Sequence, residues 1–113
     1  MLIYDNDILE RLRGDKYGLG GLKWHEELHF NEHIVSFTSK SRIYLYTDGI
    51  IDQPLAVRDK LMRLGHPAFL ELLSSWAHYN MQEQCGFINE RIDTMLEYHE
   101  QRDDITIVGI RIG

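Results

Sequence analysis

Arg42-Ile43-Tyr44-Leu45-Tyr46-Thr47-Asp48-Gly49 is the stretch on which the fold reading turns. From Arg42 to Thr47, aliphatic Ile43 and Leu45 alternate with aromatic Tyr44 and Tyr46. That period of two predicts a β-strand with a different set of side chains on each face. The run stops at Asp48-Gly49, where a glycine permits positive φ and a sharp exit from the strand. A second run, Ile105 to Ile112, reads the same way and is preceded by Asp103-Asp104. Thr106, Val108, Ile110 and Ile112 share one face and Ile105 and Ile107 the other, so this strand is expected to be covered on both sides. If the two strands are antiparallel neighbours, the end of the first meets the start of the second. Asp48 and Asp103 then stand on one rim of a sheet.

Working outward, Leu2 to Tyr4, the polar Asp5-Asn6-Asp7 and Ile8 to Leu12 predict a hairpin, closed by Gly14. The chain enters at once on Leu2-Ile3-Tyr4, with no polar leader, which is the expected look of a part of a larger domain. Gly18-Leu19-Gly20-Gly21 is a loop, and Leu22 to Leu28 is ambiguous. Phe30 to Thr38 reads as a further strand, with His33, Val35 and Phe37 opposite Ile34 and Ser36. Three helices are expected between the two decisive strands. The first carries the stripe Val57, Leu61 and Leu64 and is capped by Gly65. The second has Pro67 in its first turn and the stripe Leu70, Leu73, Trp76 and Ala77. The third runs from about Met81 to about His99 with the stripe Cys85, Ile88, Ile92, Met95 and His99. Helices clustered between strands give an α+β fold of antiparallel sheets, with the helices inserted before the last strand. Residues 1–113 read as one unit with no internal repeat.

The chain's 113 residues are 43% hydrophobic and 27% charged, enough for one modest core. A formal net charge of −6 argues against a nucleic-acid backbone as partner, which calls for a basic surface. No apolar stretch reaches the length of a membrane span, and the first residues lack a signal-peptide core. Cys85 is the single cysteine, so neither an intrachain disulfide nor a thiolate cluster can form. These features point to the cytoplasm. Cys85 itself is expected to pack as a small hydrophobe.

Two carboxylates brought together repel, and a divalent cation resolves that repulsion. Oxygen donors alone select hard ions such as Mg²⁺ or Mn²⁺. The plainer reading is that Asp48-Gly49 is a common turn pair and Asp103-Asp104 a solvated loop; spacing does not decide between the two. His25, His29 and His33, if extended, share a face but lie too far apart to converge on zinc. Trp24 is a candidate surface anchor for a partner, whereas Trp76 reads as core. Glu26, Glu27, Glu90, Asp93, Glu97 and Glu100 read as solvated faces.

The segment Ile43 to Gln53 (IYLYTDGIIDQ) closely resembles the "lyTDGi-(D/E)" motif of PPM phosphatases of the SpoIIE/RsbU group. Gln101 to Val108 (QRDDITIV) resembles the same family's closing "DD-(I/M)-T" motif, and the helical spacing between the two is also the family's. Gly14-Asp15 and Gly18 to Gly21 are similar to its glycine loop. The resemblance implies a partial PP2C-like β-sandwich, the C-terminal portion of a phosphatase domain. It implies a two-metal site for Mn²⁺ or Mg²⁺ in the intact domain, with Asp48 and Asp103 as ligands. Thr47, Gly49, Asp104 and Thr106 would support the site, and no residue acts as a covalent nucleophile. The family's earlier Asp-Gly metal motifs have no counterpart here: Asp5, Asp7 and Asp15 do not stand in that context. The usual Phe-Gly after the Asp-Gly loop is also missing.

The resemblance therefore implies a metal-dependent protein serine/threonine phosphatase, incomplete and inactive alone. Its substrate would be a phosphoprotein such as an anti-sigma-factor antagonist in bacterial signalling. The competing reading is a non-catalytic phosphatase-like module that binds a partner. A sheet face left bare would favour a homo-oligomer. A phosphoacceptor receiver domain fits poorly, because its acidic pair follows the first strand and here the pair precedes the last.

Overall fold

The computed structural model describes residues 1–18, 29–57 and 60–113. Its elements are β1 (Leu2–Asp5), β2 (Ile8–Arg11), β3 (Arg42–Tyr46), α1 (Asp48–Asp52), β4 (Pro54–Val57), β5 (Lys60–Arg63), α2 (Gly65–Trp76), α3 (Met81–Leu96) and β6 (Ile107–Arg111). The fold is α+β, with a four-stranded antiparallel sheet in the order β2-β1-β3-β6 and a separate β4-β5 hairpin. The turn between β1 and β2 is made by Asn6 and Asp7, both at positive φ (48° and 64°), as a tight hairpin turn requires.

Register fixes what each sheet face carries. Leu2 pairs with Tyr44 and Tyr44 with Gly109, while Tyr46 pairs with Ile107. This face points at the helices, where Leu2, Tyr4 and Tyr44 form one core with Phe69, Leu73, Ala77 and Met95. Tyr46 packs edge-on against Phe69 at 5.0 Å between ring centroids. The core also holds a polar chain. The Tyr44 hydroxyl donates to Gln84 Oε1 at 2.8 Å, and Gln84 Nε2 donates to the Tyr79 carbonyl at 2.9 Å. Both Tyr44 and Gln84 are buried, so these bonds remove the cost of two desolvated polar groups.

The opposite face carries Ile43, Leu45, Val108 and Ile110. Leu45, Val108 and Ile110 are 43%, 44% and 40% exposed, so β6 is covered on one side only, not on both as its apolar pattern predicts. The whole chain measures 46 × 38 × 21 Å, and the short dimension is that of one sheet under one layer of helices.

Other departures from the sequence reading have local causes. The stripe Val57, Leu61 and Leu64 is not helical: Pro54–Val57 and Lys60–Arg63 pair as the antiparallel strands β4 and β5. Gln53 precedes a proline, which drives it extended (ψ 126°) and ends α1 before a helix can propagate. Gly65 has the expected positive φ (73°), but it opens α2 instead of closing a preceding helix. Asp48-Gly49 is not a loop exit; it starts the short helix α1. Phe30 to Thr38 forms no strand, and Ile34 is 96% exposed. The segment pairs with neither edge strand, β2 or β6. Contacts that tie this segment down come from side chains: Asp15 accepts from the amide and the side chain of Asn31, and Thr38 Oγ1 donates to Asp5.

The last two helices match closely. α3 begins at Met81 because Asn80 and Glu83 form a reciprocal capping box. Cys85, however, is exposed, and the neighbouring Gln84 takes the buried position. Trp76 is half-buried, stacked beside Phe87. Trp24, His25, Glu26 and Glu27 lie outside the described residues, and His29 and His33 are exposed. No helix among the described residues is long and apolar enough to cross a membrane.

Candidate functional site

β3 and β6 are antiparallel neighbours, and Tyr46 faces Ile107 at the end of their ladder. Past that pair the two chains stay fastened. The Thr47 amide donates to the Thr106 carbonyl at 3.0 Å. The Thr47 hydroxyl accepts from the Thr106 amide at 3.0 Å and donates to the Asp104 carbonyl at 2.9 Å. Thr47 is also the N-cap residue of α1, with extended backbone, yet its side chain makes no capping bond. The hydroxyl serves the neighbouring loop instead.

This clamp requires close approach of two backbones. A Cβ on Gly49 would overlap the Asp104 carbonyl oxygen and come within 2.9 Å of its carbon. Glycine stands at this position because of the crowding and not because of its φ: Gly49 is an ordinary helical residue. Asp104 joins the rim through its main-chain carbonyl. Its amide donates to Asp103 Oδ1 at 2.7 Å, and Gln101 Nε2 donates to the Asp103 carbonyl at 2.9 Å. Thr106 contributes both its backbone groups.

Asp48 and Asp103 flank the clamp, each one residue from a fastened position, and both are exposed. The structure thus brings Thr47, Gly49, Asp104 and Thr106 into contact and sets Asp48 and Asp103 on the same end of the sheet. A local turn bond occupies one oxygen of Asp103. Among the described residues no three His, Cys, Asp or Glu side chains gather closely enough to hold a metal ion. The carboxylates of Asp48 and Asp103 offer hard oxygen donors, the chemistry that suits Mg²⁺ or Mn²⁺.

Residues that the sequence reading did not single out complete the surroundings. Arg11, Arg13, Tyr46 and His66 line a cavity of about 470 Å³ together with Asp48. Arg11 and Arg13 come from the end of β2 and the chain after it, and His66 from the first turn of α2. No local pattern marks these positions, because only the tertiary fold unites them. Burial holds the His66 imidazole below its ordinary pKa, and the nearby charges of Arg11 and Arg13 add to the effect. A neutral imidazole and two guanidinium groups beside an acidic rim can accept a phosphate ester's charge.

The sequence model of the family described as "Stage II sporulation protein E (SpoIIE)" matches residues 1–113. Among solved structures, the chain is similar to the SiaA-PP2C domain of Pseudomonas aeruginosa, with a TM-score of 0.78 and 26% identity. That match covers 99% of this chain and 42% of the other. No curated protein matches the chain.

Proposed function

The chain belongs to the SpoIIE family, and from that premise we propose that it is the C-terminal part of a metal-dependent protein serine/threonine phosphatase domain. What it contains is a partial PP2C-like domain: it spans 42% of the SiaA-PP2C chain. The observation that carries the reading is the Thr47 clamp, which draws the Asp48 strand end and the Asp103-Asp104 loop to one rim.

Asp48 and Asp103 would supply carboxylate ligands to Mg²⁺ or Mn²⁺. The bound ions would lower the pKa of a water molecule and screen the phosphate's charge. The chain's own part is positional. Thr47 and Gly49 hold the loop against α1, so the two carboxylates are preorganised by rigid elements. Arg11 and Arg13 would offer their forks to the oxygens of the phosphorylated side chain. The substrate is a phosphoserine or phosphothreonine protein, and the reading includes bacterial partner-switching in the cytoplasm.

One observation favours a second reading. The family's earlier Asp-Gly motifs have no counterpart in residues 1–113, so the chain by itself suits a phosphatase-like module that binds without turnover. The bare face of Leu45, Val108 and Ile110 would then meet another sheet or a second copy.

Manganese titration, followed by electron paramagnetic resonance, tests the first reading. Weak binding is expected for the chain, lost in D48N and in D103N, with little hydrolysis of a phosphoserine peptide. Mn²⁺ binding unchanged in both variants would remove the metal site. Robust turnover by the isolated chain would overturn the claim that ligands are missing.

A further inference from the structure

The far end of β3 carries a second charged constellation, remote from the acidic rim. Arg42 and Arg111 are direct cross-strand partners at the start of β3 and the end of β6. Tyr4 on β1 pairs with Arg42 on its other side. Side chains directly opposite on one face lie about 5 Å apart at Cβ, and like charges there destabilise a sheet. A protein with a net charge of −6 has carboxylates to spare for such a pair, yet the ion pair found among the described residues is Arg63 with Asp52. None involves Lys40, Arg42 or Arg111.

These groups surround a polar cleft. Tyr4, Asp7, Lys40, Arg42, His78 and Arg111 line a cavity of about 400 Å³. Three cations thus face one carboxylate. That carboxylate is engaged: Asp7 Oδ1 accepts from the Tyr4 hydroxyl at 2.8 Å. Asp5 nearby is engaged as well, by Thr38 and Asn6. Arg42 is half-buried with its guanidinium carbon 5.7 Å from the Tyr4 ring centroid, and one of its terminal nitrogens donates to the Lys40 carbonyl at 3.2 Å. Its Nε is fully buried and has no hydrogen-bond partner. A buried donor left unmade is costly, the more so on a charged group.

From this we infer that the cleft between Arg42 and Arg111 is a binding site for a phosphate-class oxyanion, either free phosphate or a phosphate monoester. The charge excess matches a dianion, and two guanidinium forks in register suit tetrahedral oxygens. Lys40, His78 and Arg111 are exposed, so affinity is modest, with a Kd on the order of 1 mM. Arg42 and Asp48 stand six positions apart in the chain, on the order of 20 Å for extended backbone. The site therefore does not depend on the metal rim.

The test is a titration of inorganic phosphate, without added metal, read by amide chemical shifts in NMR. Sodium chloride at equal ionic strength is the control. Saturable shifts confined to residues around Lys40, Arg42, His78 and Arg111 are expected. R111Q should raise the Kd by about tenfold. K16Q, which removes the same charge from an exposed position elsewhere, should leave it unchanged. R111Q should also fold as well as the parent in phosphate-free buffer, because it relieves the like-charge pair. A parallel titration with O-phosphoserine separates the two sources. Tighter binding than inorganic phosphate identifies a monoester site, and equal binding a free-anion site. Shifts that chloride reproduces, or that persist in R111Q, would overturn the inference.

Discussion

Gly49 lies against the main-chain carbonyl of Asp104 with no space for a methyl group between them. Through this contact and the Thr47 hydroxyl, a helix start and a loop fifty-odd residues later share one position.

Gly49→Ala is therefore expected to destabilise the chain. Alanine in place of glycine favours a helix by about 1 kcal/mol. Forcing apart two backbones costs about 1–3 kcal/mol, and the crowding wins because the obstacle is a carbonyl and not a flexible side chain. The net loss should be up to about 2 kcal/mol in urea unfolding, with weaker Mn²⁺ binding. A variant as stable as the parent would show that the loop moves freely.

Thr47→Val keeps the shape and removes the hydroxyl. The Asp104 carbonyl and the Thr106 amide each lose a partner, at a cost of about 1–2 kcal/mol for groups near solvent. Thr47→Ser retains both bonds and should recover most of that. A loss in Thr47→Ser with none in Thr47→Val would mean that the methyl group, not the hydroxyl, supports the rim.

The Tyr44–Gln84 bond gives a pH-dependent prediction. Burial pushes the Tyr44 phenol above its ordinary pKa, against smaller downward effects of Gln84 and Arg42. Tyr4 is also raised, first by burial and then by Asp7. A phenol that stays protonated in the folded chain binds more protons than the unfolded one, so its stabilisation is complete below the unfolded pKa, about 10, and is lost as pH climbs through the folded value. Alkaline unfolding should thus begin above about pH 10, and Tyr44→Phe should blunt it. At neutral pH, Gln84→Leu leaves the buried hydroxyl without an acceptor and should cost about 1–3 kcal/mol.

His66 titrates below its ordinary pKa because burial disfavours its charged form, helped by Arg11 and Arg13. The unfolded chain then binds the proton more readily, so stability should fall as pH drops below about 6.5. Proton NMR of the imidazole reads this directly. Arg11→Gln should move the midpoint part of the way up, and an unmoved midpoint would place the arginine too far away to act on the His66 imidazole.

How much of this could be read from the residues alone depended on the range of the interaction. The β3 and β6 strands, their antiparallel pairing and the acidic rim follow from alternation and from Asp48 and Asp103 at matching strand ends. α2 and α3 follow from Pro67 and the helical stripes. The β4-β5 pairing escapes a local reading because Val57, Leu61 and Leu64 fit a helical spacing, while Gln53-Pro54 carries the opposing backbone preference. Phe30 to Thr38 has a strand's alternation but pairs with neither edge strand, which no local pattern reports. Asp48-Gly49 suggests backbone freedom in the sequence, whereas the structure shows Gly49 providing clearance for the Asp104 carbonyl. Arg11, Arg13 and His66 were invisible because three separate elements assemble them.

β3 is a strand of only five residues, with a buried tyrosine at its centre. Its arginine end and the aspartate beyond its other end are spaced by the same pleats. A one-residue insertion anywhere between Arg42 and Thr47 would turn Tyr44 or its neighbours outward, and a two-residue insertion would carry Asp48 about 7 Å past the loop that meets it. Length variation in natural sequences should accordingly collect in the hairpin after Gln53, and this short ruler should tolerate exchanges of side chain but none of length.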